Sequence, residues 1–267
     1  MPDTLRGQRD KRDQKVKAGV SRQRLLDFLT STLNPDAFSD YCPNGLQVQG
    51  KSTVQKLVAG VTASATLINA AAAAGADAIL VHHGYFWRGE NPCITGMKGE
   101  RITALIKADI NLFAYHLPLD AHPQFGNNVQ LARVLKLPVD GQCGPDGLVL
   151  YGNLAKPISI RMLTARVRKS LGRTPLVVGP DEKEISRIAW CTGGAQDYIE
   201  AAVSVGAHAY ISGEISERTT HIARECAIAY LGAGHHATER FGVQALGLAA
   251  ADALGIDYEF IDDPNPV

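Results

Sequence analysis

The chain has 267 residues, of which 45% are hydrophobic and 20% charged, with 27 basic against 27 acidic side chains. A chain of this length can bury a sizeable core as one large α/β unit or as two lobes. Without a net positive charge it lacks the field that attracts polyanions, so nucleic-acid binding is not expected as its main activity. The 5 cysteines, odd in number and never in a C-x-x-C pair, are typical of reduced thiols and predict a cytoplasmic protein.

Residues 1–20 are polar and basic and lack the apolar stretch of a secretory signal. They are predicted to form a disordered tail. The most apolar window, 67–81, contains Asn69 and Asp77 and is shorter than the ~20 residues that a membrane span needs. No membrane association is expected.

The first predicted element is an amphipathic helix. Ser21 is a plausible N-cap, and leucines recur at helical spacing from Leu25 to Leu33 until Pro35 ends the pattern. Short apolar runs then alternate with helical patterns: KLVAGV, an Ala-rich helix, DAILV, a helix near 99–108, INLFAY, and a helix near 128–136. This alternation predicts an α/β architecture with a largely buried sheet, whose ligands bind outside the carboxyl ends of the strands.

Two stretches of the sequence are similar to each other. Residues 60–83 and 190–214 both read as a strand, a Thr, a helix, a Gly-Ala-x-Ala step and a second strand, and they place His83 opposite Glu214. Further on, FAYHLPLD and GAGHHATE each carry a histidine four residues before an acid. These matches favour two similar α/β lobes, 21–125 plus 232–267 and 126–231, with a shared site between them. Chance recurrence of Gly-Ala-x-Ala in an α/β protein is the alternative.

Six of the 8 histidines lie in three short segments, together with two acids: His82, His83, His116, His122, His235, His236, Asp120 and Glu239. Neutral imidazoles combined with carboxylates suit zinc, manganese, iron or nickel, whereas a magnesium site would not recruit so many nitrogens. The pattern predicts a transition-metal site.

The histidine doublet indicates more than one ion. Adjacent side chains of a regular strand point to opposite faces, so His82 and His83 would not reach the same ion. If the chain turns between His83 and Gly84, the two imidazoles diverge toward two ions, which Asp120 and Glu239 are able to bridge. Paired metals ~3.5–4 Å apart activate water and stabilise an oxyanion. A mononuclear centre with one histidine turned away stays open.

The other candidates carry a weaker signal. His235 and Glu239 share a helical face if a helix begins near Ala237, and His236 then points elsewhere. His116 could bind an ion directly or could hydrogen-bond to a side chain that does, and both alternatives are open. Glu214, after a predicted strand, is a candidate general acid or base. A solvated carboxylate at a helix start is the alternative for Glu214. Arginines near these motifs could hold a phosphate: Arg88, Arg218 and Arg240.

Several function classes lose support. The sequence has no G-x-x-x-x-G-K-[ST] loop, no G-x-S-x-G elbow and no G-x-G-x-x-G opening a helix. Nucleotide-triphosphate motors, serine hydrolases and Rossmann dehydrogenases are therefore not expected.

Five ordered motifs carry a family resemblance: NGLQV, ILVHHGYFW, YHLPLDAHPQFGNN, ISGEISE and GHHATERFG. From about residue 21 to the end, the sequence resembles the GTP cyclohydrolase I type 2 homologues, also called the Nif-three-like proteins, and especially their YbgI-type bacterial members. The resemblance implies two intertwined α/β lobes, a dinuclear metal centre between them, and a toroidal homohexamer. It carries the family's metal ligands onto His82, His83, Asp120, His235 and Glu239.

The family's name implies hydrolysis of a nucleotide or a related heterocycle, a small-molecule substrate. In that reading two divalent cations activate water, and Glu214 or His116 shuttles protons. Fold similarity alone does not confer an activity. A non-catalytic hexamer that binds metals or a partner protein is the alternative.

Overall fold

The computed structural model describes residues 18–180 and 183–267. Residues 1–17, most of the predicted tail, lie outside the described residues. Val20, which the sequence placed at the end of that tail, instead pairs with Val54 in a short antiparallel ladder. The described part of the chain therefore begins within the fold.

The first half of the chain alternates strands and helices as the sequence predicted. Ser21 caps the first helix by accepting a hydrogen bond from Arg24 N, and Asn34 ends it in the left-handed conformation just before Pro35. The elements are β1 (Val20–Ser21), α1 (Arg22–Leu33), β2 (Gly45–Val48), β3 (Thr53–Val54), β4 (Lys56–Thr62), α2 (Ala65–Ala73), β5 (Ala78–His83), α3 (Gly96–Lys107), β6 (Asn111–Ala114) and α4 (Leu117–Ala121).

The second half repeats this alternation and ends with a long helix. The elements are α5 (Asn127–Leu135), β7 (Gly141–Cys143), β8 (Val149–Ser159), α6 (Ile160–Leu171), β9 (Leu176–Val178), β10 (Glu184–Trp190), α7 (Ile199–Ser204), β11 (Ala209–Ser212), α8 (Glu217–Glu225), β12 (Ala229–Gly232), α9 (His235–Leu254) and β13 (Asp257–Phe260). Helix α9 begins at His235, two residues before the predicted start, because Gly234 adopts a φ of 104° that lets the chain turn directly into the helix.

Two mixed sheets form the centre of the fold. The five-stranded sheet has the order β13-β4-β5-β6-β2, and the six-stranded sheet has the order β7-β8-β10-β11-β12-β9. Within them β4, β5 and β6 run parallel, as do β10, β11 and β12. The two stretches that the sequence showed to be similar thus occupy equivalent places in the two sheets.

Helices cover both faces of each sheet. Leucines of α1 and α9 pack on one face of the five-stranded sheet, and α2 and α3 pack on the other. The six-stranded sheet is covered by α5 and α6 on one face and by α7 and α8 on the other. The predicted α/β class is confirmed. The lobe boundaries stay a prediction.

The carboxyl ends of the parallel strands converge. β5 ends at His83, β6 leads into His116, β11 leads into Glu214, and β12 leads into His235. Helix α9 starts at the end of β12 and then packs against the five-stranded sheet, so it links the two halves. No helix within residues 18–180 and 183–267 is long and apolar enough to cross a bilayer.

Candidate metal centre

Three side chains from three elements form the first group of possible ligands. His82 Nε2 lies 3.4 Å from Asp120 Oδ1 and 3.5 Å from Glu239 Oε1. All three residues are buried, with His82 at 0% exposure. Because their donor atoms lie within 4.8 Å of one another, His82, Asp120 and Glu239 could hold one cation.

A second group uses the other oxygen of the same glutamate. Glu239 Oε2 lies 3.2 Å from His83 Nε2 and 3.0 Å from His235 Nε2, so these three residues also could hold a cation. The predicted i, i+4 pairing of His235 and Glu239 is confirmed, since both lie on α9. Glu239 therefore faces one group with each carboxylate oxygen.

The histidine doublet stays within its strand, contrary to the expected turn at His83. His83 is the last residue of β5 and still pairs with Thr62 of β4. The two imidazole centroids are 4.5 Å apart and the ring planes meet at 46°. Because the rings diverge, His82 faces one oxygen of Glu239 and His83 faces the other.

The arrangement of these donor atoms suits a bound cation better than it suits hydrogen bonds among the side chains themselves. His82 Nε2 and Glu239 Oε2 are buried and, although possible partners lie 3.0–3.5 Å away, the angles give neither atom a hydrogen bond within the described ranges. A buried polar atom without a partner costs ~1–3 kcal/mol, more if charged, and structures rarely retain one without a reason. Lone pairs that converge from nitrogen and oxygen suit the transition metals that the sequence predicted.

The Nδ1 atom of each histidine of the doublet makes a hydrogen bond on the side away from the carboxylates. His82 Nδ1 donates to Tyr115 O at 3.0 Å, and His83 Nδ1 shares a hydrogen bond with Thr62 Oγ1 at 3.1 Å. Such contacts fix the orientation of an imidazole and leave its Nε2 directed into the cluster. The backbone just after β6 and the end of β4 thus orient the doublet.

His235 is oriented by the candidate catalytic acid. Its Nδ1 donates to Glu214 Oε1 at 2.6 Å, a short charge-assisted hydrogen bond. The structure thereby brings Glu214 to the cluster, on the side of His235 away from Glu239. A carboxylate in this place fixes the imidazole plane and strengthens its basicity.

Asp120 is held by neighbours from both halves of the chain. Its Oδ1 accepts a hydrogen bond from Asn127 Nδ2 at 2.9 Å and a longer one from Thr192 Oγ1 at 3.4 Å. Asn127 Oδ1 in turn accepts from Gly242 N on α9. One amide therefore connects Asp120 with the helix that carries Glu239.

The pKa values of the cluster's side chains reflect the burial of the site and the negative charge of its carboxylates. Burial opposes a charge on His82, but the Asp120 and Glu239 carboxylates outweigh it and raise its pKa to about 9. Burial likewise opposes a charge on His235, whose pKa the Glu239 contact raises to about 9. Burial lowers the pKa of His83 to about 3. Burial also works against ionisation of Glu239, yet the adjacent histidines hold its pKa well below the usual range. The cluster thus attracts positive charge.

His116 is brought to the same place but is bonded differently. Its ring centroid lies 5.1 Å from that of His82, and its Nδ1 donates to Asp40 Oδ1 at 2.7 Å. Asp40 also accepts from Asn44 Nδ2 and Leu117 N through Oδ2. Burial opposes ionisation of Asp40, but the His116 contact and its other donors hold its pKa at about 2. The result is a fixed Asp–His pair at the edge of the cluster.

Gly193 allows the backbone to approach the cluster closely. It follows β10, has a φ of 68°, and a Cβ at this position would lie 1.9 Å from Glu239 Oε1. Its N donates to Thr238 Oγ1 on α9. Glycine is therefore required here for two reasons, the left-handed backbone and the space taken by Glu239.

The last residues of the chain lie beside the cluster as a strap, which we define as residues 261–267. Asp262 contacts His236 Nε2 at 2.9 Å and Arg240 Nε at 3.5 Å, and Asp263 accepts a hydrogen bond from Ser64. A cavity of about 210 Å³ separates the strap from the ligands; its lining is Thr62, His83, Glu214, His235, His236, Asn265 and Val267.

The remaining sequence candidates lie outside the cluster. His236 points to Asp262, as expected for a residue aimed away from the ligands. His122 accepts backbone hydrogen bonds from Gln124 and Phe125 in its own loop.

The three candidate arginines already have partners. Arg88 stacks over Tyr41, Arg218 pairs with Asp197, and Arg240 lies near Asp262. Each of them is therefore a weaker phosphate ligand than the sequence suggested.

Sequence reasoning missed Asp40, Asn127 and Gly193. The one available signal was local, because Asn127 follows the Asp120 motif within the same turn-rich segment. Asp40 and Gly193 reach the centre only through the tertiary fold.

The fold and the cluster together define a class: an α/β protein with two mixed sheets and a buried His/Asp/Glu group that could bind metal ions. The profile of the Duf34/NIF3 family (NGG1p interacting factor 3) matches residues 20–266. This chain belongs to that family, which confirms the resemblance seen in its motifs.

Curated relatives and solved structures agree. The GTP cyclohydrolase 1 type 2 homolog of Vibrio cholerae is 55% identical over 252 residues, which cover 93% of this chain and 100% of that protein. The homolog from Pseudomonas aeruginosa is 54% identical over 250 residues, 92% of this chain and 99% of its own.

Among solved structures, protein ybgI, described as of unknown function, has a TM-score of 0.88 at 48% identity and covers 93% of this chain and 100% of its own. A second solved structure, a protein from Thermus thermophilus, has a TM-score of 0.82 at 32% identity, with the same coverage of both chains. The two-sheet fold is therefore shared along the whole length of these relatives.

Proposed function

We propose that this protein is a dinuclear metal-dependent hydrolase acting on a nucleotide or a related heterocycle. The observation that carries the proposal is the division of Glu239 between two ligand groups, with Oε1 toward His82 and Oε2 toward His83 and His235. A carboxylate placed in this way could bridge two cations, one held with His82 and one with His83 and His235. Asp120 completes the group around His82.

Paired divalent cations, when bound, lower the pKa of water and stabilise negative charge on an oxygen. The mixed nitrogen and oxygen donors accept zinc, manganese, iron or nickel, and cellular supply often selects among such metals. The names of the relatives from Vibrio cholerae and Pseudomonas aeruginosa refer to a GTP cyclohydrolase. We take from them the substrate class, a nucleotide or heterocycle.

Two side chains of this protein suit proton handling. Asp40 accepts the Nδ1 proton of His116 and so leaves Nε2 of that ring available beside the ligands, where His116 can take a proton from a reacting water or return one to a leaving group. Glu214 fixes the plane of His235 and is the second candidate. We assign proton transfer to His116, and we assign to Glu214 the role of orienting His235.

We further propose that the protein assembles as a toroidal homohexamer in the cytoplasm, with its substrate reaching the centre from an internal cavity. The lobes proposed for each chain are 21–125 plus 232–267 and 126–231. The composition of the two sheets supports this division, because the five-stranded sheet takes all its strands from the first lobe and the six-stranded sheet takes its strands from the second, apart from the last residue of β12.

The test is turnover by purified, metal-loaded protein on a panel of nucleotides, nucleosides and phosphoesters. We expect one class of substrate to be hydrolysed and the activity to be lost in His83→Ala and Glu239→Ala variants that still fold and assemble. Arg224→Ala, at the end of α8, is the control and should retain full activity. If no substrate is consumed while both metal positions are filled, the non-catalytic alternative replaces this proposal.

A further inference from the structure

A cavity of about 480 Å³ lies beside the cluster. That volume lies within the ~300–1,000 Å³ typical of small-molecule sites. One end is formed by cluster residues, namely His83, Asp120, His235 and Glu239. The rest of the wall is mainly aromatic and apolar, formed by Tyr41, Trp87, Leu117, Leu148, Ala195 and Tyr198.

Trp87 is a fixed part of this wall. Its Nε1 donates to Gly84 O at 3.2 Å, and its backbone N donates to Glu90 Oε2 at 3.0 Å. The indole meets the His116 ring edge to face, with centroids 4.9 Å apart and planes at 83°. Because the indole is held before any ligand arrives, stacking on it costs little ordering entropy.

Tyr41 extends the wall toward solvent. It is 54% exposed, and its backbone N donates to Asp40 Oδ1, the same oxygen that accepts from His116. The Arg88 guanidinium lies 5.8 Å from the centroid of the Tyr41 ring and also donates to Asp40 O. A large exposed aromatic ring at the mouth of a cavity is a common stacking surface for planar ligands.

Beyond the histidines and carboxylates of the cluster end, the polar side chains of the wall are hydroxyls and the Cys191 thiol. Thr62 and Thr192 contribute hydroxyls, and burial raises the pKa of the Tyr198 hydroxyl, which therefore stays protonated. Hydroxyls both donate and accept hydrogen bonds, so they match the mixed edge of a nitrogen heterocycle. A hydrocarbon ring would leave these groups without partners at a cost in binding.

The basic side chains of this wall lie at its cluster end and are histidines: His83, His116 and His235. No Lys or Arg belongs to the lining that the described part of the chain provides. Arg88 at the rim is engaged by the backbone of Asp40, and Arg218 is paired with Asp197. Positive charge in the cavity is therefore confined to the cluster end, which the ring would occupy, and a chain of phosphates farther out would lack the Arg or Lys contacts that usually bind it.

We propose that the cavity binds a planar, uncharged nitrogen heterocycle of purine or pterin size, with its ring against Trp87 and Tyr41, and that any phosphate on the ligand stays outside the cavity. This inference rests on the proposed function, because it places the ring next to the cluster. It makes Trp87 and Tyr41 the residues that determine specificity, and it gives phosphates no part in recognition.

The chain itself supplies the probe for the test. It contains 2 tryptophans: Trp87 lines the cavity, whereas Trp190 is fully buried with its Nε1 bonded to Asn128 O, so quenching that is absent in Trp87→Leu is assigned to Trp87. Metal-loaded protein is titrated with guanosine, adenosine and pterin, and with GMP and AMP. We expect at least one ring to quench Trp87, and its monophosphate to bind with a dissociation constant within about threefold of that of the nucleoside.

Substitutions in the cavity wall test whether the ligand binds against Trp87 and Tyr41. By calorimetry, Trp87→Leu and Tyr41→Leu should each weaken binding about tenfold or more, the range that loss of a stacking aromatic produces. Tyr151→Leu is the matched control, since Tyr151 also lies under a guanidinium, that of Arg187 at 6.0 Å, but outside the cavity. It should bind with unchanged affinity. The metal content of all three variants should equal that of the unmodified protein.

Three results overturn the inference: no quenching by any member of the panel at millimolar concentration, a monophosphate that binds more than about thirtyfold tighter than its nucleoside, or a Trp87→Leu variant with unchanged affinity. Failure of the proposed function is a separate result. In that case the rings bind with the expected pattern, but no product forms. If a phosphoester is hydrolysed at the same rate by the Trp87→Leu variant and by the unmodified protein, the hydrolase proposal is supported and the ring site is not.

Discussion

Asp40 and His116, 76 positions apart in the sequence, are joined by a 2.7 Å hydrogen bond at the edge of the ligand cluster. The loop after α1 supplies the carboxylate, and the end of β6 supplies the imidazole. The same carboxylate accepts hydrogen bonds from Asn44 and from the backbone of Leu117. Asp40 therefore ties the loop after α1 to the segment that joins β6 and α4.

Removal of this carboxylate should change stability at acid pH. The pKa of Asp40 is about 2 in the folded chain against 3.8 ordinarily, so its contribution is present above about pH 4 and is lost as the pH falls toward 2. Between pH 5 and pH 3 the unmodified protein should lose about 1 kcal/mol more of its unfolding free energy than Asp40→Asn does. Urea unfolding at both pH values, with chelator present, measures the difference.

Asp36→Asn is the control for that measurement, because Asp36 is an exposed carboxylate on the same loop. It should behave as the unmodified protein does. Equal acid losses in the unmodified protein and in Asp40→Asn would contradict the assignment of this pair.

Glu239 differs from the other proposed ligands in serving both groups. Glu239→Ala should therefore abolish binding of both ions, whereas Asp120→Ala and His235→Ala should each weaken one. Metal-to-protein ratios after dialysis against metal-free buffer give the answer. Equal losses in all three variants would indicate a single ion shared by the whole cluster.

Gly193 offers a test that leaves every ligand in place. An alanine at this position has no room beside Glu239 Oε1, and its φ of 68° strains the backbone. We expect Gly193→Ala to lose about 1–2 kcal/mol of stability from the backbone and also to lose metal affinity by about tenfold or more.

Gly75→Ala separates these two effects. Gly75 has a φ of 73°, but nothing lies within 4 Å of the added Cβ. It should show the same backbone cost, measured by thermal unfolding, with normal metal affinity. Normal metal binding by Gly193→Ala would mean that Glu239 does not hold the position described above.

The strap at 261–267 covers one side of the cluster and should slow the exchange of ions. Asp262→Ala removes its contacts to His236 and Arg240, so metal release to a coloured chelator should become several-fold faster. Asp252→Ala, an exposed carboxylate on α9, is the control. Identical release from both variants would show that the strap does not limit access.

The ligand cluster was readable from the sequence because its signals are local. A histidine doublet at the end of an apolar run, and two histidines each four residues before an acid, mark strand ends and helix starts, and parallel strands bring such ends together. The same logic predicted the α/β class. It also predicted the side chains that surround Glu239.

The rest depended on long-range packing. Asp40 contacts His116 only because the loop after α1 folds across the end of β6, and Gly193 meets Glu239 only because α9 leaves one sheet to pack on the other. The start of α9 was misplaced since the φ of Gly234 has no signal beyond the presence of a glycine. The strap contains prolines and acids that resemble an ordinary chain end.

The central claim is that two cations bind between the two halves of the molecule. Its most direct test is elemental analysis of protein purified without chelator, with the ions located by anomalous diffraction. We predict close to two ions per chain, separated by ~3.5–4 Å, with Glu239 between them. A metal-free protein that takes up no zinc, manganese, iron or nickel on incubation, or a single ion bound by His82 and His83 together, would contradict the account.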